Sequence, residues 1–324
     1  VQVRPTGDAI YDSDIFPTSA YISGKQGRDV SYDPLSIMVE EAHRQGLAIE
    51  AWVNPYRVSF NTSYSQLSKD NPARKWHESG NASERRNVLS YNGQLYYNPS
   101  KPEVRQLIID GVEEIVRNYD VDGIHMDDYF YPSFSSSNYN KTFDAQEYNA
   151  SAEKKNGMSI KKYRRKQVNK LVKGIKSAID AIDSDVVFGV SPAGNIDSLN
   201  SKYSYYVNIK KWTNSTKFVD YIAPQIYWGF SHKTAKFDKM VDRWSSMVDQ
   251  SKVKLYIGIP AYKMAQPSNG TTKAEKKELK GKTLLRKMAK YVNKKNANGI
   301  IVFDYADLDK AACKKLAKYL KKTY

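Results

Sequence analysis

Apolar positions along the chain follow two periods that alternate from end to end. Short apolar runs of strand length lie at residues 1–4, 47–53, 123–127, 186–190, 221–226, 254–259 and 299–303. Helical spacing fills the gaps between them. Over residues 102–118, Val104, Leu107, Ile108, Val112, Ile115 and Val116 fall on one face behind a proline in the first turn. The other predicted helices are 34–45, closed by Gly46, then 159–182, 203–213, 238–249, 280–293 and 308–321. Two polar stretches break the rhythm, residues 58–100 and the Tyr/Ser/Asn-rich segment 129–157. Loops of that length are usually functional, and both follow predicted strands, so both are expected to wall a cleft.

Strict strand–helix alternation predicts a parallel sheet with crossover helices. An open doubly wound sheet would carry a glycine-rich phosphate turn after an early strand, and the chain has none. Instead polar residues follow nearly every strand: Arg4, Asn54, Asp127, Ser191, Gln225, Tyr262 and Asp304. Strand ends that converge on one site are the mark of a barrel's C-terminal face. The expected fold is therefore α/β, a TIM-type (β/α)8 barrel forming a single domain over residues 1–324. Seven strands are legible, and the first is expected upstream of Val1.

Composition narrows the function classes. The net charge is +16, with lysines crowding residues 273–322, which favours a polyanionic partner without choosing one. No zinc-finger spacing, helix-turn-helix signature or RNA-recognition motif accompanies the charge, so no nucleic-acid partner is expected. The single cysteine, Cys313, excludes an internal disulfide and sits at an apolar-periodic position of the last helix. The four histidines show no metal-ligand spacing, and neither a metal nor another cofactor is expected. No run approaches the 18 or so apolar residues of a transmembrane segment. Tyrosine outnumbers phenylalanine 25 to 10, which suits stacking on sugar rings as well as simple packing.

The densest chemical signal is Val121-Asp122-Gly123-Ile124-His125-Met126-Asp127-Asp128-Tyr129-Phe130-Tyr131-Pro132. Alternation along a strand puts His125 and Asp127 on one face, with Asp127 at the mouth of the barrel. Asp128 lies where the strand ends and can swing back towards the site. Two carboxylates at a strand end are costly unless they are paired or functional. A helix cap or a calcium loop is the bland alternative.

These motifs are similar to those of the glycosyl-hydrolase-like family 10 of bacterial exported proteins. The resemblance runs through Gln2-Val3-Arg4-Pro5, Ala51-Trp52-Val53-Asn54-Pro55-Tyr56-Arg57, Asn98-Pro99 with Pro102-Glu103-Val104-Arg105, Gly123-Ile124-His125-Met126-Asp127-Asp128-Tyr129, Phe188-Gly189-Val190-Ser191-Pro192 and Ala223-Pro224-Gln225-Ile226-Tyr227-Trp228. It implies a TIM-type barrel, an extracellular or cell-surface location with possible lipoprotein anchoring, and hydrolysis of peptidoglycan-type, N-acetylated cell-wall glycan. A weaker likeness links residues 122–127 to the fourth strand of family 18 chitinases. Those enzymes place a catalytic glutamate two residues after the last aspartate, where this chain has Tyr129.

Glycoside hydrolysis needs a proton donor and a carboxylate that attacks or activates water. Asp127 and Asp128 are the leading catalytic candidates, with Glu50 or Asp304 as a partner from another strand. Asn54, Arg57, Gln225 and Tyr227 suit hydrogen bonding to hydroxyl and N-acetyl groups. Arg4 joins them as a polar residue at a strand end, and His125 is expected to hold Asp127 by a hydrogen bond. Tyr129, Tyr131 and Trp228 could stack on sugar faces. The lysine-rich C-terminus is expected to bind anionic wall polymers. A catalytically silent carbohydrate-binding barrel that docks on the wall is the alternative function.

Overall fold

A computed structural model describes residues 1–323, which pack as two compact units: Val1–Gly189 with Asn200–Asn208, and Val190–Leu199 with residues 209–323.

The first unit opens with strand β1 (Gln2–Arg4), helix α1 (Pro34–Arg44) and strand β2 (Glu50–Val53), and β1 and β2 pair in parallel. The Asp33 carboxylate caps α1 by accepting from the Leu35 N–H at 3.0 Å, and Gly46 at φ 67° takes the left-handed turn beyond the helix. Residues 58–100 are not the featureless segment that their polarity suggests. With Arg57 they form an antiparallel sheet of β3 (Arg57–Ser59), β4 (Val88–Tyr91) and β5 (Gln94–Tyr97), in the order β3-β5-β4. The β4–β5 turn is Asn92-Gly93, both at positive φ, which is the dipeptide that two-residue hairpins demand. That signal stood in the sequence, and polarity masked it.

Helix α2 (Pro102–Asn118) buries Val104, Ile108, Val112 and Ile115 as its periodicity requires. Strand β6 (Gly123–Met126) then pairs in parallel with β2, setting Glu50 against Gly123 and Trp52 against His125. Only glycine fits at position 123, because a Cβ there would meet the Val187 carbonyl at 2.9 Å. Helix α3 (Ile160–Ile182) packs on α2, with Gly174 close against Ile109, and buries Val168, Leu171, Val172, Ile175 and Ile179. Each such side chain contributes about 1.5–3 kcal/mol when fully buried, so Ile175→Ala would be felt directly. Strand β7 (Val187–Val190) follows.

The helix expected over 203–213 shrinks to Ile209–Trp212. Tyr205 and Tyr206 instead adopt left-handed backbone, φ 60° and 54°. Tertiary bonding overrides propensity here: the Tyr206 hydroxyl donates to the Lys202 carbonyl at 2.8 Å and accepts from Arg164 Nη1 at 2.9 Å.

The second unit carries parallel strands β8 (Tyr221–Ile222), β9 (Lys254–Pro260) and β10 (Gly299–Phe303), with helices α4 (Phe237–Met247), α5 (Lys273–Leu279), α6 (Leu284–Lys294) and α7 (Ala311–Thr323). The strand expected over 221–226 is cut short, and Gln225 survives as isolated bridges to Ala193 and Gly258. The helix expected over 280–293 starts later, after Gly281 closes α5 with its N–H on the Glu278 carbonyl at 2.8 Å. Cys313 is buried in α7.

Candidate active site

Alternation along β6 buries Ile124 and Met126 on one face and turns His125 and Asp127 to the other. The aspartates of this stretch divide their labour. Asp122, at the strand start, accepts from the Ile49 N–H at 2.6 Å and from His43 Nε2 at 3.0 Å, and so stitches β6 to the entry of β2. Asp127 and Asp128, at the strand end, serve each other instead. Asp127 Oδ1 accepts from the Asp128 N–H at 2.6 Å, and the two side chains share a hydrogen bond.

Burial is the largest force on the Asp128 carboxyl, and the neighbouring Asp127 charge and the bond to it add to that. Together they push its pKa up to about 8, against the opposing pull of Arg57. Asp128 therefore keeps its proton at neutral pH. Arg57 is itself held between two rings, its guanidinium carbon 4.5 Å from the centroid of Tyr129 and 4.9 Å from that of Phe60. Tyr129, Arg57, Phe60, Trp52 and Asn54 line one cavity of about 400 Å³, so both long segments contribute to its wall.

Several sequence-derived candidates take other roles. Arg4 is 1% exposed, with Nη2 on the Pro55 carbonyl at 3.1 Å and its guanidinium over Phe16 at 4.7 Å. It fixes the Asn54–Arg57 loop from beneath and is out of reach of a sugar. Asn54 Oδ1 accepts from Trp52 Nε1 at 3.1 Å and its Nδ2 donates to the Pro5 carbonyl at 3.3 Å, so the buried amide orients the indole. Glu50 lies level with Gly123, four residues before Asp127, hence about 13 Å deeper along the strand. The structure does not bring it to the aspartate pair. Its carboxylate faces His125 Nδ1 at 3.8 Å. Burial lowers the His125 pKa to about 4, so the ring is neutral, and it packs edge-on against Trp52.

Tyr205 was not legible as a site residue. Its hydroxyl pKa is raised by burial and then by the charges of Asp128 and Asp127, which places it in the field of the pair. The support for this loop is a buried hub. The Arg164–Asp144 ion pair is 0% exposed on both sides, with Nε to Oδ1 at 2.7 Å. Asp144 also accepts from Ser100 and Tyr131 at 2.8 Å each, and Arg164 donates to Tyr206 and to the carbonyls of Tyr139 and Thr142. Tyr131 is thereby a packing residue, bound to the hub and not offered to a ligand.

In the second unit, the Gln225 side chain donates to the Ser191 carbonyl at 2.9 Å. Tyr227 stacks on Phe303 with centroids 5.9 Å apart and meets the edge of Tyr262. Trp228 tilts against His232, and Asp304 Oδ1 caps the turn after β10 by accepting from the Ala306 N–H at 3.0 Å. Among the described residues no group of three or more His, Cys, Asp or Glu could hold a metal ion, and no helix is long and apolar enough to cross a membrane.

The family model described as "Glycosyl hydrolase-like 10" matches residues 1–276. The glycosyl hydrolase YngK of Bacillus subtilis (strain 168) is 40% identical over 282 residues, covering 82% of this chain and 52% of that protein. The glycosyl hydrolase DigH of Escherichia coli (strain K12) is 35% identical over 280 residues, covering 82% and 62%. The chain thus spans between half and two thirds of the length of these curated relatives. Among solved structures, the PgaB (BpsB) glycoside hydrolase domain of Bordetella bronchiseptica aligns over 98% of this chain and 87% of that chain, with a TM-score of 0.59 at 12% identity. A class V chitinase of Pseudomonas fluorescens Pf-5 aligns over 87% and 84%, with a TM-score of 0.51 at 13% identity. At such identities the likeness is one of fold: α/β, of the TIM-type barrel class, as the alternation of elements predicted.

Proposed function

This chain belongs to the glycosyl hydrolase-like 10 family, and from that premise we propose that it hydrolyses peptidoglycan-type, N-acetylated glycan strands with Asp128 as the acid and Asp127 as its charged partner. The observation that carries the reading is the hydrogen-bonded pair itself, with a proton kept on Asp128. Two carboxyls in contact cannot flank a scissile bond, since separate acid and nucleophile sit about 5–5.5 Å apart and acid and base about 6.5–9.5 Å. Contact suits the substrate-assisted variant of glycoside hydrolysis instead. Asp128 gives its proton to the glycosidic oxygen as that bond breaks. The substrate's own acetamido oxygen bonds to the anomeric carbon, while Asp127 accepts from the acetamido N–H and balances its growing positive charge. Water then attacks the anomeric carbon and displaces the acetamido oxygen from it, restoring the N-acetyl group, while a proton of that water passes to Asp128.

The wall of the cavity supplies orientation. Tyr129 and Trp52 offer aromatic faces to sugar rings, and Arg57 offers N–H donors to hydroxyls. In the second unit, Gln225, Tyr227, Trp228 and Asp304 are proposed as further contacts to the glycan. A wall substrate puts the protein at the cell surface or outside the cell, and the exposed lysines Lys314, Lys315, Lys318 and Lys321 of α7 are proposed to hold it to anionic wall polymers.

Chitohexaose and peptide-free glycan strands, with and without their N-acetyl groups, test the mechanism. The expected result is reducing-end release from the acetylated glycans only, with the product anomer retained. Hydrolysis of the deacetylated glycan at an equal rate would rule out assistance by the acetamido group. Binding of the acetylated glycan without release would leave a silent carbohydrate-binding barrel.

A further inference from the structure

The second unit holds a cavity of about 820 Å³ that the chemistry above does not use. Its floor is aromatic and apolar: Phe230 and Tyr291 pack edge to face at 6.1 Å beside Leu284. Its walls carry four lysines, Lys277 on α5 and Lys287, Lys290 and Lys294 on α6, against the one carboxylate of Glu278. That carboxylate is already engaged, accepting from the Ser231 hydroxyl at 2.6 Å and the Ser231 N–H at 3.1 Å. Lys290 lies over the Tyr319 ring at 5.7 Å, whereas Lys277, Lys287 and Lys294 have no carboxylate partner among the described residues. Lysines left unpaired around an apolar floor repel one another, and an anionic ligand would relieve that cost.

The spacing of the charges selects the kind of anion. Leu284, Lys287, Tyr291 and Lys294 recur on one face of α6, so Lys287 and Lys294 stand two turns apart, about 10 Å along the axis. That is the length of one disaccharide repeat, with Tyr291 between the two lysines along the helix and Lys295 Nζ 5.3 Å from its ring centroid. Tyr291 is held in place by its hydroxyl, which donates to Asp242 at 2.8 Å. We infer that this cavity is a second glycan-binding site, distinct from the Asp127–Asp128 centre, for a sugar chain that bears a carboxylate on every second residue. Alternate carboxylates would meet Lys287 and Lys294 while the intervening sugar lies over Tyr291. The inference rests on the proposed glycan substrate only for the choice of a sugar chain over another polyanion.

Fluorescently labelled hyaluronan hexasaccharide, which has a carboxylate on alternate sugars, is the probe, and its affinity is read by polarisation. The parent chain should bind it at low salt and more weakly at about 0.2 M salt. The double variant Lys287→Gln/Lys294→Gln should bind about tenfold more weakly, the loss of two carboxylate contacts, with an unchanged melting temperature. Equal affinity in parent and double variant would overturn the site, whatever the hydrolysis assays show. Lysine-dependent binding by a chain that cannot cleave chitohexaose would overturn the hydrolase reading and leave the site standing.

Discussion

Asp128→Asn removes an ionisation that the fold opposes, and the consequence can be worked out for stability independently of catalysis. In the folded chain the Asp128 pKa is about 8, against an ordinary value of 3.8. Between those limits the folded chain keeps a proton that the unfolded chain has released. Stability is therefore greatest below the unfolded value and is lost as pH rises towards the folded one. The slope is about 1.4 kcal/mol per pH unit, so from about pH 5 to about pH 7 the parent loses roughly 3 kcal/mol to this group, less whatever solvent at the half-buried carboxyl recovers. The amide in the variant has no proton to lose and can still donate to Asp127. Titrations of groups that do not touch the pair are common to the two proteins and cancel in the difference. Urea unfolding at a series of pH values should show the variant gaining on the parent as pH rises through that window. Parallel stability curves would refute the raised pKa and, with it, the assignment of Asp128 as the acid.

Catalysis gives further checks. Asp127→Asn should lower kcat by roughly 10³-fold or more with the melting temperature preserved, and a near-normal rate would make the pair structural. On an activated aryl glycoside, which needs little protonation, Asp128→Asn should keep far more activity than on the natural linkage. Equal loss on both would give Asp128 a role beyond proton donation. Removing the charge that opposes protonation, by Arg57→Gln, should move the alkaline limb of the kcat/KM profile upwards, and a downward shift would contradict the geometry. Arg164→Ala leaves the Asp144 carboxylate buried and unpaired and should cost about 3–5 kcal/mol in urea unfolding. A loss below 1 kcal/mol or so would mean that water reaches the hub.

The scaffold was legible because its cues are local. The proline-led periodicity of α2 returned the observed helix, and the run at residues 299–303 returned β10. The aspartate pair could be read as a candidate because acidic residues at a strand end have few other uses. What the sequence hid depends on long-range partners. Arg4 and Asn54 looked like donors at strand ends, but only packing reveals that Arg4 is shut in against Phe16 and the Pro55 carbonyl and that Asn54 is turned to Trp52 and Pro5. The depth of Glu50, by contrast, is readable from Trp52 and Asn54 standing between it and the strand end, and its pairing with Gly123 agrees. Tyr205 fell inside an apparent helix whose backbone is left-handed there, beside Tyr206, which is bonded to an arginine 42 positions earlier, and no local pattern encodes that.

The antiparallel excursion between β2 and α2 is anchored at its neck, where the Tyr97 N–H meets the Tyr56 carbonyl at 2.8 Å and the Gly7 N–H meets the Val58 carbonyl at 3.0 Å, and again further out, by Asn71 Nδ2 on the Gly7 carbonyl at 2.8 Å and Arg86 Nε on Glu147 at 2.7 Å. Between those anchors the turns can change length without moving a parallel strand. Doubling the length of such a loop costs only about 0.6 kcal/mol in closure entropy, far less than a disturbance of the core. The excursion is thus a head pinned at several points, with free turns between the pins. Descendants of this chain can vary those turns while the parallel strands that carry the aspartates stay where they are.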